Sequence, residues 1–286
     1  MRLDAEGLLD LVDQIHAGGT CDIARKRSVE ALSDAFGGAA VMLFRQAGAI
    51  VEDLDHARWP DESVHLCSGH YCDPGRNEML RAMPVLPIGV PMRADAAGDG
   101  VFERSEVYRE GMKPFGLAPG PLGALIARTA RDTSSISLMA HARALPFARK
   151  DEELLPRLIP PLTSADRVRR LLVEAMETRQ MLEGALDRVG RPVAVVDDHL
   201  GLRYANAPAR GLLEDGSALR IGSGRISAAD PRANERLRAI VRAAVARGGT
   251  ARFVPLGERR KANVLRVEPL RPGEAGVARP LALIVG

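Results

Sequence analysis

The stretch His65-Leu-Cys-Ser-Gly-His-Tyr-Cys72 gathers two of the six His and two of the three Cys into eight residues. Those types at that density raise two chemistries, metal binding and thiol redox. A metal needs its imidazole and thiolate donors to converge on one point, each about 2 Å away. On a helix, Cys67 and His70 share a face three residues apart, while His65 and Cys72 point elsewhere. On a strand, His65 and Cys67 share a face, and Gly69 would have to bend the chain to bring back His70 and Cys72. Zinc sites pair such a cluster with a distant second one, and the sequence holds none. Thiol redox needs Cys67 and Cys72 exposed, with a lowered pKa. The structural alternative packs Leu66, Cys67 and Tyr71 inward and turns the His to water, since free Cys behaves as a small hydrophobe. Cys67, His70 and Cys72 thus stand as a metal- or redox-responsive alternative to a structural role.

Other reaction chemistry finds no frame. No G-x-S-x-G, P-loop or H-E-x-x-H occurs. Glu52, Asp53, Asp55, Asp61 and Glu62 cluster as a surface turn would, with no base placed against an acid. The expectation is a protein that is not an enzyme.

Those residues must be positioned by a chain of 286 residues, a length that suits two domains better than one. The net charge of +3 gives no whole-protein field for nucleic acid. Three Cys argue against a disulfide framework and for a reducing, cytoplasmic setting. At the N-terminus Leu8, Leu11, Val12 and Ile15 make one helical face with acids between them, unlike a signal peptide. No apolar run approaches membrane-spanning length, so no membrane partner is expected.

Three segments separate by pattern. Residues 1–150 mix helices and strands, with strand candidates at 39–44, 49–54, 122–129 and 135–142. Helix candidates lie at Asn77–Met83 and Arg104–Met112, around a Gly/Pro-rich loop at 84–100. The pattern predicts an α+β domain with an antiparallel sheet, in the element order of a GAF-like sensor domain. Residues 151–189 form a helical linker. Ala165, Val168, Leu172, Ala175, Arg179, Leu182, Leu186 and Val189 recur at alternating three- and four-residue steps, an a/d seam with one polar interruption. Such a seam fits a parallel two-stranded linker in a homodimer, or a helix packing on its own domain. Pro160-Pro161 predicts a bend or restart near Thr163. Residues 190–286 read as two strands, helices and three strands, the element order of a PAS fold. Asn206 is an N-cap before Pro208, and Asp230 caps a helix that starts at Pro231 and stops at Gly248.

At "VAVVDDHLGLRYANAPARGLL" and "GRISAADPRANERLRAIVRAAVARGG" the chain resembles the sensory region of LuxR-type helix-turn-helix transcriptional regulators. "RSEVYREGMKPFGL" (104–117) and "YCDP" (71–74) resemble segments of the same group. The resemblance implies a GAF-like domain, then a PAS-like domain, then a C-terminal DNA-binding domain. The sequence stops at "LALIVG", where that output would begin, so contact with DNA is expected only through a domain absent from this chain. The acyl-homoserine-lactone class reads its ligand with a Trp, Tyr and Asp cluster, and Trp59 stands alone here.

A cavity between the GAF-like sheet and its helices is the default site for a small molecule. Met42, Phe44, Tyr71, Tyr108, Phe115, Met139 and His141 are its candidate lining. Strand alternation puts Ile136, Leu138 and Ala140 on one face, Ser137, Met139 and His141 on the other. The cofactor is unknown. The PAS-like half has no Cys for a flavin adduct, His199 sits in a turn rather than facing a cavity, and only Tyr204 and Phe253 could stack a flavin. The basic run "GERRK" reads as a solvated hairpin tip. The expected function is signal sensing by a small molecule, relayed through the helical linker, with dimerisation along Val168, Leu172, Ala175, Leu182 and Leu186.

Overall fold

The computed structural model describes residues 4–93, 100–246, 250–256, 264–270 and 281–286, apart from the side chains of residues 82 and 84. The Gly248 stop and the GERRK tip lie outside these. The chain divides into two compact units, Met1–Glu174 and Ala175–Gly286. As the sequence pattern predicts, the fold is α+β, with two domains, each an antiparallel sheet flanked by helices.

In the N-terminal unit, α1 (Ala5–Gly18) and α2 (Asp22–Ala35) precede the hairpin β1 (Ala40–Ala47) and β2 (Ile50–Ala57). Then come α3 (Asp61–Gly69), α4 (Glu78–Ala82), β3 (Met92–Arg93), α5 (Val101–Arg104) and α6 (Glu106–Gly111). β4 (Leu122–Arg128) and β5 (Thr133–Met139) close the sheet in the order β2-β1-β5-β4-β3. All four expected strands are present. The helix expected at 104–112 is two, because Ser105 leaves helical geometry to cap α6, its Oγ accepting from Tyr108 N–H at 3.3 Å. The 84–100 loop carries the edge strand β3.

Alternation gives the sheet two unlike faces. Val41, Leu43, Leu122, Ala124, Ile126, Ile136 and Leu138 pack on one side against Leu11, Ile15, Val29 and Leu32 of the first two helices. On the other side, Ala40, Met42 and Met139 meet Val64, Phe102, Val107 and Tyr108.

The helix α7 (Arg149–Asp187) runs unbroken through Pro156, Pro160 and Pro161. The bend or restart near Thr163 does not occur as an interruption. Each proline removes an N–H from the i→i−4 ladder. Yet Leu155, Leu158, Ile159 and Leu162 are buried in the first core, and full burial of such side chains contributes roughly 1.5–3 kcal/mol each. Tertiary burial outweighs the missing bonds. The first part of the expected linker is therefore core, and the unit boundary falls later, within α7.

Just before that boundary two adjacent arginines fasten α7 to the sheet. Arg169 binds Asp53 of β2 through Nε (2.7 Å) and Nη2 (3.2 Å), and Asp22 through Nη1 (2.7 Å). Arg170 binds Asp166 (2.6 Å), Ser134 Oγ (2.7 Å) and Asp132 in the β4–β5 turn. Burial raises the Asp53 pKa, but the Arg169 bonds and the charges of Arg25, Arg169 and Arg45 outweigh it and hold the carboxyl low. Asp132 follows the same logic: burial opposes, and Arg170, Thr129 and Arg45 prevail.

In the C-terminal unit, β6 (Val193–Val196), β7 (Leu202–Ala205), α8 (Ala207–Asp215), the small hairpin β8 (Leu219–Gly222) and β9 (Arg225–Ala228), and α9 (Pro231–Val245) lead to β10 (Arg252–Pro255), β11 (Val264–Leu270) and β12 (Leu281–Val285). The sheet order β10-β11-β12-β6-β7 makes the last strand central, as a PAS-like fold requires. Leu237, Val241 and Ala244 of α9 pack on it beside Val254, Leu265, Val267 and Ile284. Asp197 holds the β6–β7 turn by accepting from His199 N–H (3.0 Å) and Gly201 N–H (2.7 Å). A Cβ on Gly201 would sit 2.5 Å from the Asp197 carboxylate and would push it out of its turn-holding position. Asn206, fully buried, meets all its hydrogen-bonding needs: Oδ1 accepts from Val193 and Ala209 N–H, and Nδ2 donates to Leu186 and Arg191 carbonyls. It ties the end of α7 to the second core.

Because the Asp53 and Asp132 pKa values lie below their unfolded values, their contribution to stability is complete above about pH 5 and is lost as pH falls through the folded pKa. Urea unfolding of the wild type should weaken on acidification, and Asp53→Asn with Asp132→Asn should flatten that slope while lowering stability at pH 7. An unchanged slope would remove the fastening role. Leu158→Ala should cost about 2–5 kcal/mol in the same assay, by opening a cavity under α7.

Candidate ligand cavity in the N-terminal unit

The second sheet face is not filled. Along the central strands three residues on this face are small, Gly123 on β4 and Ser135 and Ser137 on β5, beside the larger Leu125. Their in-line neighbours Leu122, Ala124, Ile136 and Leu138 pack into the core on the other face. Glycine at 123 is also required by the sheet itself, since a Cβ there would lie 2.8 Å from the Ile136 carbonyl oxygen. The helices at 61–112 span this bare strip and leave a cavity of about 400 Å³.

Its walls come from separate elements. β1 supplies Met42, Phe44 and Gln46 at alternate positions, and β2 supplies Val51 and Leu54. Trp59, Cys67 and Met83 come from the segments between β2 and β3, and Phe102, Val107 and Met112 from the region of α5 and α6. Trp59 is fixed by donating from Nε1 to Ser63 Oγ (3.0 Å), and Ser63 Oγ donates on to the Gly111 carbonyl. Among the described residues the charged ones in the wall are Glu78, which is exposed, and Arg93, whose Nη1 binds Glu152 (2.7 Å) and the Phe147 carbonyl (3.2 Å).

Of the seven expected lining residues, Met42 and Phe44 line the cavity. Tyr71, Tyr108 and Met139 do not; they are packed into the solid part of the same face. The Tyr71 hydroxyl donates to Glu110 (3.1 Å) and that of Tyr108 to the Leu117 carbonyl (3.3 Å), so neither ring is free to turn inward. Phe115 sits half-buried in a short 3-10 turn, and His141 lies past the end of β5, bridged to Leu117; neither reaches the wall. Alternation named the correct face. Depth along the strands, which depends on where the helices cross, decided which of its residues border space. Ser135 and Ser137 carried a signal in the sequence, small polar residues two apart on one face of β5; Gln46, next to Arg45 at the end of β1, carried none.

The cluster at His65–Cys72 is divided by the structure. His65 to Gly69 end α3, and the chain then turns. His65 and His70 are exposed, and His70 Nε2 accepts from Arg76 Nη1 at 2.9 Å. Cys67 and Cys72 are both in the cavity wall, as free thiols. Cys72 Sγ lies 2.9 Å from the Gly69 carbonyl and 3.0 Å from that of Ala49. Burial pushes the Cys67 thiol up to about 11, against the Ser63 contact that lowers it, so the lowered pKa needed for redox sensing is reversed there. Among the described residues no three His, Cys, Asp or Glu side chains gather to hold a metal ion. The metal reading of Cys67, His70 and Cys72 fails on geometry, because the imidazole and the thiols face opposite ways.

Among the described residues no helix is long and apolar enough to cross a membrane. The seam residues of α7 are displayed rather than packed: Val168, Leu172, Ala175 and Leu182 are exposed and Leu186 is half-buried, with Arg179 paired to Glu183 at 2.7 Å.

No family model matches the sequence, and no curated protein matches it. Among solved structures, the chain is similar to one from the DhaR(N)–DhaL complex of E. coli, at 10% identity over 99% of this chain and 90% of that one, with a TM-score of 0.36. It is similar to the VqsR LBD domain of Pseudomonas aeruginosa at 14% identity over 57% of this chain and 94% of that one, TM-score 0.40. It is also similar to the bacteriophytochrome RpBphP3 of R. palustris at 12% identity over 98% of this chain and 61% of that one, TM-score 0.36. Scores this low say nothing about ligand or partner.

Proposed function

We propose that this chain is the signal-sensing and dimerisation module of a bacterial-type transcriptional regulator, without enzymatic activity of its own. A small molecule enters the cavity of the N-terminal unit. The signal passes along α7 and through the PAS-like unit to a DNA-binding domain beyond the central strand β12. The observation that carries this reading is the cavity itself, about 400 Å³ of mainly apolar space within the size range of small-molecule sites. The relay is supported by the way α7 is held. Leu155 to Leu162 and the Arg169–Arg170 pair bind it to the unit with the cavity, and Asn206 binds its far end to the second core. A ligand shifts such an element only if it binds two packings with different affinity.

Thermal unfolding against a metabolite panel tests the binding step. A ligand at one hundred times its Kd should add about 2.7 kcal/mol, raising the Tm by roughly 5 °C or more. Ser137→Leu, which fills the bare strip, should remove that shift and leave the unliganded protein folded. No shift with any compound, together with no co-purifying molecule in native mass spectrometry, would count against sensing by this cavity.

The second half of α7 supports a parallel pairing of two copies, because its exposed Val168, Leu172, Ala175 and Leu182 keep the three- and four-residue steps of a coiled-coil seam. Light scattering should find a dimer for the wild type and a monomer for Leu172→Asp. A monomeric wild type would end this part of the reading.

A further inference from the structure

We infer that the cavity selects a neutral, largely aliphatic ligand that carries one hydrogen-bond donor, and that the Gln46 side-chain oxygen receives it. This rests on reading the cavity as a ligand site and adds what the ligand must be.

Gln46 is the polar group at the β1 end of the wall and is 5% exposed. Its Nε2 donates to the carbonyls of Gly48 (2.7 Å) and Cys72. Two carbonyl oxygens can only accept, so the amide orientation is determined: nitrogen toward the backbone, oxygen away from it. That oxygen, Oε1, is buried and has no hydrogen-bond partner among the described residues. A buried acceptor left unpaired costs roughly 1–3 kcal/mol, and a donor arriving with a ligand recovers it. Other polar groups of the wall already have partners. Cys72 Sγ is at hydrogen-bonding distance from two carbonyls, and Arg93 is bound to Glu152.

Charge is excluded by the same accounting. Of the two charged wall residues described, Arg93 is paired with Glu152 and Glu78 is exposed to solvent, so an ion buried against the apolar walls would lose its hydration with little compensation. Shape is left permissive. Five of the nine methionines, Met42, Met79, Met83, Met92 and Met112, stand in the wall. Unbranched thioethers repack around ligands of different outline. The site therefore reads one donor strictly and the hydrocarbon loosely.

Trp59, the single tryptophan, lies in the wall and reports occupancy through its emission. The full chain is titrated with three probes: 1-decanol, its isomer 1-methoxynonane, which lacks the O–H, and decanoate. The expected result is binding of the alcohol about tenfold tighter than the ether, the value of one well-placed hydrogen bond, with decanoate weaker still. Gln46→Leu should bring alcohol and ether to the same affinity. If that variant does not fold, the wild-type ratio decides alone. Equal affinity of alcohol and ether, or tighter binding of decanoate, overturns the inference and leaves the cavity a ligand site. No change in Trp59 emission with any probe overturns both.

Discussion

The contact on which the rest depends is the burial of Leu155, Leu158, Ile159 and Leu162 against the first sheet. It holds three prolines inside one helix, and it closes the sheet face opposite the cavity. With that face filled by large aliphatic side chains, the strands keep their register, and the other face can be left underpacked without loss of the fold. A cavity in a protein interior is a cost in lost dispersion contacts. Here it is tolerated because a complete core lies directly behind it.

The same helix then changes role within a few residues. Up to Leu162 it is core; at Asp166, Arg169 and Arg170 it is held by charge-assisted bonds from β2, the β4–β5 turn and the start of α2. Beyond them its apolar residues face solvent. Ion pairs suit such a position. They are directional, so they define the angle at which the helix leaves the sheet, whereas an apolar contact alone would let it slide. The side chains are largely buried, which protects them from screening. At the other end Asn206 performs a comparable task with neutral bonds, buried and completely satisfied, joining the helix end to β6 and α8.

The cavity owes its chemistry to two small asymmetries. One is the run of Gly123, Ser135 and Ser137 along the central strands, where residues of ordinary core size would have closed it. The other is the Gln46 amide, whose nitrogen is committed to backbone and whose oxygen is not. Cys67 and Cys72 take part as wall, their polarity suppressed by burial and by backbone carbonyls. Of the dense His and Cys stretch, the two thiols thus form part of the cavity wall and the two His face solvent.

Much of this was legible in the order of residues. Period-two alternation located the strands and assigned Ile136, Leu138 and Met139 to their faces, because side-chain direction along a strand is a local property. Caps at Asn206 and Asp230 were readable for the same reason: a short polar side chain before a helical run satisfies its own first turn. Tertiary structure alone decided the rest. Whether prolines break a helix depends on what the helix buries, and whether Tyr108 or Phe102 borders empty space depends on where one element crosses another. Whether Gln46 has a spare oxygen depends on the Cys72 carbonyl, 26 residues further along the chain. Those are long-range encounters, and no window of sequence contains both partners.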